Sequence, residues 1–122
     1  MSHSSNRNER AKQAINEAIE LFHRRWALRV IWELRTGPMT FRALQGACSE
    51  VSPSVLNQRL GELREAQLVD RVQGEGYRLS IHGQKLLKAM GPMVTWALEW
   101  YSSCQLKHDG RAQRESGRPP ER

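Results

Sequence analysis

Apolar residues in the stretch 9–22 fall at Ala11, Ile15, Ala18 or Ile19, and Phe22. That three-and-four spacing keeps one face of a helix greasy and predicts an amphipathic helix there. Residues 24–35, RRWALRVIWELR, are more apolar and predict a second helix. Thr36-Gly37-Pro38 stops it, because Gly favours the C-cap and Pro cannot continue the helix. A short third helix is predicted over Phe41 to about Cys48, with Thr40 as N-cap and Phe41, Leu44 and Cys48 on one face. A fourth spans 53–66. Ser52 is its N-cap, Pro53 fits the first helical position, and Leu56, Leu60 and Leu63 form its buried stripe.

The period then changes. LVDRV (68–72) and YRLS (77–80) are short strand-like runs joined by Gln73-Gly74-Glu75-Gly76, which predicts a β-hairpin. Ser80 caps a long final helix from Ile81 to Cys104. Leu87, Val94, Leu98 and Tyr101 keep one seam along it, and Gly91-Pro92 is expected to kink or split it. No internal repeat is present.

Composition narrows the class. Hydrophobic residues make up 39% of the 122, enough for one domain with a modest core. Residues 1–8 and 105–122 lack the apolar content to offset ordering entropy, so both are expected to be disordered, flanking a domain over 9–104. The net charge of +6 is spread between the ends and the middle: residues 15–104 hold 11 basic and 9 acidic side chains. This mild surplus suits a phosphate-backbone partner and equally a merely solubilising tail. No run approaches the roughly 18 apolar residues of a membrane span, and the N-terminus lacks a signal peptide's apolar centre. Cys48 and Cys104 make neither a disulfide framework nor a metal-ligand spacing, which points to a reducing, cytoplasmic setting.

The order helix, helix, short helix, turn, helix, hairpin, helix is that of a winged helix-turn-helix, mainly α with a small β-hairpin (α+β). Its second motif helix must bury one stripe and offer the opposite face to a major groove. Leu56, Leu60 and Leu63 do the first. Ser54, Asn57, Gln58 and, at the edge, Arg59 do the second, since Ser, Asn and Gln both donate to and accept from base edges. Ser52 and the helix N-terminus suit a phosphate.

These pieces resemble the HxlR-type regulators over residues 25–100: RWALRVIWEL, TGPMTFRAL, VSPSVLNQRLGELREAQLVDRV, YRLSIHGQKLL and a late tryptophan, Trp96 or Trp100. MarR- and PadR-type regulators share the architecture and stay open. The resemblance implies a cytoplasmic homodimer that binds a pseudo-palindromic operator in double-stranded DNA, as a repressor, with terminal helices forming the dimer interface. Ile15, Ile19 and Phe22 near the N-terminus, and Val94, Trp96, Leu98, Trp100 and Tyr101 near the C-terminus, are the interface candidates. Ser52, Ser54, Asn57 and Gln58 become the recognition face, Arg42 a phosphate contact, and Arg71 and Arg78 contacts from the strands of the wing, whose tip is 73–76. Where many members carry basic residues, this chain has Thr40, Pro53, Ser54 and Gly61; its wing tip carries Glu75, and no cysteine precedes Cys48.

Arg71 or Arg78 next to Asp70 or Glu75 reads equally as a surface ion pair. Glu62 and Glu65 among Arg59 and Arg64 read as a salt-bridged, solvated face. Trp32 is expected to pack against a helix rather than line a ligand pocket with Trp26. His82 reads as a partly exposed side chain, and with His3, His23 and His108 on separate segments no metal or cofactor is expected. Cys48 reads as a buried, inert thiol and Cys104 as exposed. No phosphate loop, activated nucleophile or carboxylate pair in an apolar pocket supports an enzyme. The partners expected are DNA, a second copy and an unidentified small-molecule effector, with no membrane. The reduced basic character of the recognition face gives the alternative: a winged-helix module that binds another protein.

Overall fold

The computed structural model describes residues 3–115, with side chains over 6–111. Its elements run α1 (His3–His23), α2 (Ala27–Glu33), a 3-10 turn (Leu34–Thr36), α3 (Phe41–Cys48), α4 (Pro53–Glu65), β1 (Val69–Val72), β2 (Gly76–Leu79) and α5 (Ile81–Glu115). Two compact units result, one ending at Leu87 and the second beginning at Lys88.

The first unit is built on buried aliphatic stripes. Val30, Ile31 and Leu34 from α2 and its 3-10 turn, Leu44 from α3, and Leu56, Leu60 and Leu63 from α4 are almost fully removed from water. Burying such side chains contributes roughly 1.5–3 kcal/mol each. The two motif helices start where the caps demand. Ala43 N donates to Thr40 Oγ1 at 3.1 Å, and Val55 N donates to Ser52 Oγ at 3.2 Å. Pro53 follows directly, where its missing N–H removes nothing.

The hairpin pairs Val69 with Leu79, Asp70 with Arg78, Arg71 with Tyr77 and Val72 with Gly76. Val69, Tyr77 and Leu79 are buried, so one face of the hairpin closes on the core. A bridge ties it to the segment before α3: Met39 N donates to Tyr77 O at 2.9 Å, and Tyr77 N to Met39 O at 2.8 Å. Gly74 (φ 84°) and Gly76 (φ 96°) supply the left-handed backbone that the turn requires. Gly76 has a second reason to be glycine, since a Cβ there would overlap the backbone of Met39 and Thr40. Ser80 caps α5 through Gly83 N, at 3.0 Å, and donates to Gln67 O at 2.6 Å.

The helix expected over 24–35 begins instead at Ala27, because Trp26 adopts a left-handed conformation (φ 79°). The carbonyl of Arg25 is taken up by the Arg59 guanidinium of α4, at 2.6 Å. α1 and α5 extend into the segments 1–8 and 105–122 that were expected to lack order: α1 starts at His3 and α5 ends at Glu115. Gly37 is the first glycine in the chain, and Gly110 is the lone breaker in 105–115, so backbone hydrogen bonding continues without apolar burial. Residues 1–2 and 116–122 lie outside the described residues. α5 is not split at Gly91-Pro92: it runs from Ile81 to Glu115 with Pro92 inside it, and both residues are exposed.

Within the second unit, Trp96 and Trp100 stack one helical turn apart, with centroids 5.5 Å apart and rings 8° from parallel. Trp96, Leu98, Trp100, Tyr101 and Leu106 are exposed, and Val94 is half-buried. No described helix is long and apolar enough to cross a membrane.

Candidate nucleic-acid interface

α4 carries its polar face where the leucine stripe leaves it. Ser54, Asn57 and Gln58 are exposed, as is the capping Ser52, while Leu56, Leu60 and Leu63 point into the core. Ser54 lies 3.4 Å from Ser52, hydroxyl to hydroxyl, and neither the Asn57 nor the Gln58 side chain is engaged in a hydrogen bond among the described residues. Their amides are therefore free to pair with an outside partner.

Arg59 differs from its sequence reading. Its Nε donates to Arg25 O at 2.6 Å and its NH1 to Glu62 Oε1 at 2.9 Å, and its side chain is only 15% exposed. Glu62 also meets Arg24, at 3.3 Å. The guanidinium is therefore a tie between α4 and the α1–α2 corner. Two of its donors are spent on these contacts, so it does not lie with Ser54, Asn57 and Gln58 as a free cation. Sequence spacing alone pairs Arg59 with Glu62 but cannot reveal the carbonyl thirty-four residues away.

Arg64 is the converse case. It is exposed and absent from the three salt bridges of the described residues: Arg24–Glu62, Arg29–Glu33 and Arg59–Glu62. Ser54, Asn57, Gly61 and Arg64 follow one another at three- and four-residue steps, so Arg64 continues the polar stripe. That spacing was the signal in the sequence that could have identified it. An open groove of about 880 Å³ separates the second half of α4 from the hairpin, bordered by Arg64, Arg71 and Arg78 with Glu65 and Asp70.

Arg71 and Arg78 are both exposed but occupy opposite faces of the two-stranded ladder. Arg71 lies over its cross-strand neighbour Tyr77, 5.9 Å from the ring centroid. Arg78 faces Asp70 across the ladder without an ion pair within 4.0 Å. Arg42 is exposed on α3. Trp26 and Trp32 are half-buried and each is covered by an adjacent guanidinium, Arg25 at 5.3 Å and Arg35 at 4.2 Å.

The remaining chemistry is sparse. Cys48 is buried and Cys104 exposed. Burial pushes the Cys48 thiol above its ordinary value; Glu33 raises it further and Arg29 opposes. Among the described residues, no three His, Cys, Asp or Glu side chains are grouped to hold a metal ion.

Two capped helices around a tight turn, a polar outward face on the second and a hairpin behind it define a winged helix-turn-helix protein. The HxlR-like helix-turn-helix family model matches residues 21–105, and the chain belongs to that family. It is 30% identical over 91 residues to the HTH-type transcriptional regulator YvaP of Bacillus subtilis (strain 168), covering 69% of this chain and 83% of that protein. Among solved structures it is similar to quinone-bound YodB from B. subtilis, with a TM-score of 0.66 and 29% identity over 71% of this chain and 98% of that one. The reduced form of the transcriptional regulator YodB matches with a TM-score of 0.63 and 27% identity, covering 69% of this chain and 88% of that one. Family and fold make this chain a helix-turn-helix transcriptional regulator.

Proposed function

We propose that the chain acts in the cytoplasm as a homodimeric repressor. It places α4 in the major groove of a pseudo-palindromic operator and the 73–76 turn beside the minor groove. The observation that carries this is the exposure of Ser54, Asn57 and Gln58 opposite three buried leucines. Asn and Gln suit bidentate pairing with adenine. Ser52 and the N-terminus of α4, with Arg42, Arg64, Arg71 and Arg78, suit the phosphate backbone and set the register. Arg59 serves as a brace and not as a contact.

Dimerisation is favoured by apolar surface left uncovered. Ile15 is 59% exposed and Ile19 57%, on one face of α1, with Phe22 half-buried below them. On α5, Trp96, Leu98, Trp100 and Tyr101 offer a second such surface. In this reading the working domain is 9–104, and the flanking ends are accessory.

Anisotropy titrations on upstream DNA test this. Affinity should fall steeply with salt, and half-site centres should lie about one helical turn apart. Asn57→Ala with Gln58→Ala should erase about 1–3 kcal/mol of base discrimination per lost pair while leaving the salt slope intact. Failure to find salt-sensitive binding to any duplex ends the proposal.

One observation favours a second reading, a module that docks on another protein: with Arg59 withdrawn, the outward face of α4 up to Glu62 presents no free cation. A stoichiometric protein partner whose binding survives the Asn57→Ala, Gln58→Ala change would support it.

A further inference from the structure

A second groove lies away from the recognition face, between the C-terminal half of α1, the end of α4 and the first turns of α5. Its volume is about 570 Å³, within the range of small-molecule sites. The floor is apolar. Leu21, Phe22, Leu68 and Leu86 all line it, and all four are left half-buried, so this concave surface is incompletely covered by the fold. The walls are acidic. Glu17, Glu20, Glu62 and Glu65 face a single cation, Arg24, in a protein whose overall charge is +6. Glu17, Glu20 and Glu65 enter no ion pair among the described residues. Glu62 holds Arg59 and Arg24 through Oε1, while its Oε2 is shielded from water and accepts no hydrogen bond; Arg24 Nε approaches that oxygen at 3.3 Å.

We propose that this groove is a binding site for a hydrophobic organic cation: a small molecule with an apolar body and a delocalised or quaternary positive charge. The apolar floor supplies the burial. The unpaired rim carboxylates of Glu17, Glu20 and Glu65 supply the charge preference. DNA is excluded by the same carboxylates. Ile15 and Ile19, the apolar residues of α1 offered to a second copy, lie on a different face from Glu17 and Leu21 and do not line the groove; Phe22 borders both surfaces. The site stands independently of DNA binding, so its test uses protein alone.

The probes are tetraphenylphosphonium and tetraphenylborate, ions of like shape and opposite charge, read by isothermal titration calorimetry. Tetraphenylphosphonium should bind once per chain and at least tenfold more tightly than tetraphenylborate. Glu17→Gln combined with Glu65→Gln, near-isosteric and exposed, should cut its affinity at least tenfold with an unchanged circular dichroism spectrum. A Trp96→Ala, Trp100→Ala variant should leave it unchanged. Equal binding of the two ions overturns the proposal without any variant. So does binding that ignores the glutamates or vanishes with the tryptophans. A tetra-arginine peptide that binds as tightly as tetraphenylphosphonium overturns the choice of a small amphiphilic cation in favour of a basic segment.

Discussion

Replacing Gly76 by alanine tests how the hairpin is anchored. Two effects combine there. A non-glycine residue at φ 96° costs about 1–2 kcal/mol in backbone strain. The new Cβ also runs into Met39 and Thr40, lying 2.7 Å from Thr40 Cα, and it meets backbone rather than a side chain that could rotate away. Relief requires the hairpin to part from the 39–40 segment, which breaks the two Met39–Tyr77 hydrogen bonds at about 1 kcal/mol each. The total is about 3–4 kcal/mol, a large share of the roughly 5–15 kcal/mol that holds a domain together. Gly74→Ala is the internal control: its φ is 84°, yet nothing lies within 4 Å, so strain alone applies. Urea unfolding followed by circular dichroism, at one fixed protein concentration, should place Gly76→Ala about 2 kcal/mol below Gly74→Ala, a midpoint shift of about 1 M. Equal midpoints for the two variants would refute the steric argument.

Gly61 sits inside α4 at negative φ with open space around its Cα, so Gly61→Ala should stabilise the protein by about 1 kcal/mol in the same assay. Ile15→Glu with Ile19→Glu should shift sedimentation toward a monomer while the helical content is kept; an unchanged dimer would place the interface elsewhere. Alkylation by iodoacetamide should label Cys104 rapidly and Cys48 only on unfolding. Because the folded Cys48 thiol holds its proton more tightly than the unfolded one, its contribution to stability is complete below the ordinary thiol value and fades as pH climbs past it. Cys48→Ala should therefore flatten the alkaline part of the stability–pH curve.

What could be read from the sequence followed from local rules. The leucines of α4 declare their buried side by spacing, and Thr40 and Ser52 declare the starts of α3 and α4 by chemistry. The hairpin turn was visible in two glycines that do take positive φ. What was missed has causes distant in sequence. The break at Trp26 depends on Arg59, and the choice of Arg24 and Arg59 as the partners of Glu62 depends on how α1 meets α4. Arg64 was hidden by a plausible local pairing with the neighbouring glutamates that the packing does not make. Helical order at the chain ends escaped because burial was taken as its requirement, whereas backbone bonding suffices where few breakers intervene.

The knot of Arg25, Arg59 and Glu62 means that an outward-facing reading head is riveted from behind. Removing the rivet should tilt the whole head, degrading recognition of every base pair together while the count of displaced counterions stays constant. An arginine variant that harms affinity without altering ionic-strength sensitivity therefore identifies itself as part of the chassis.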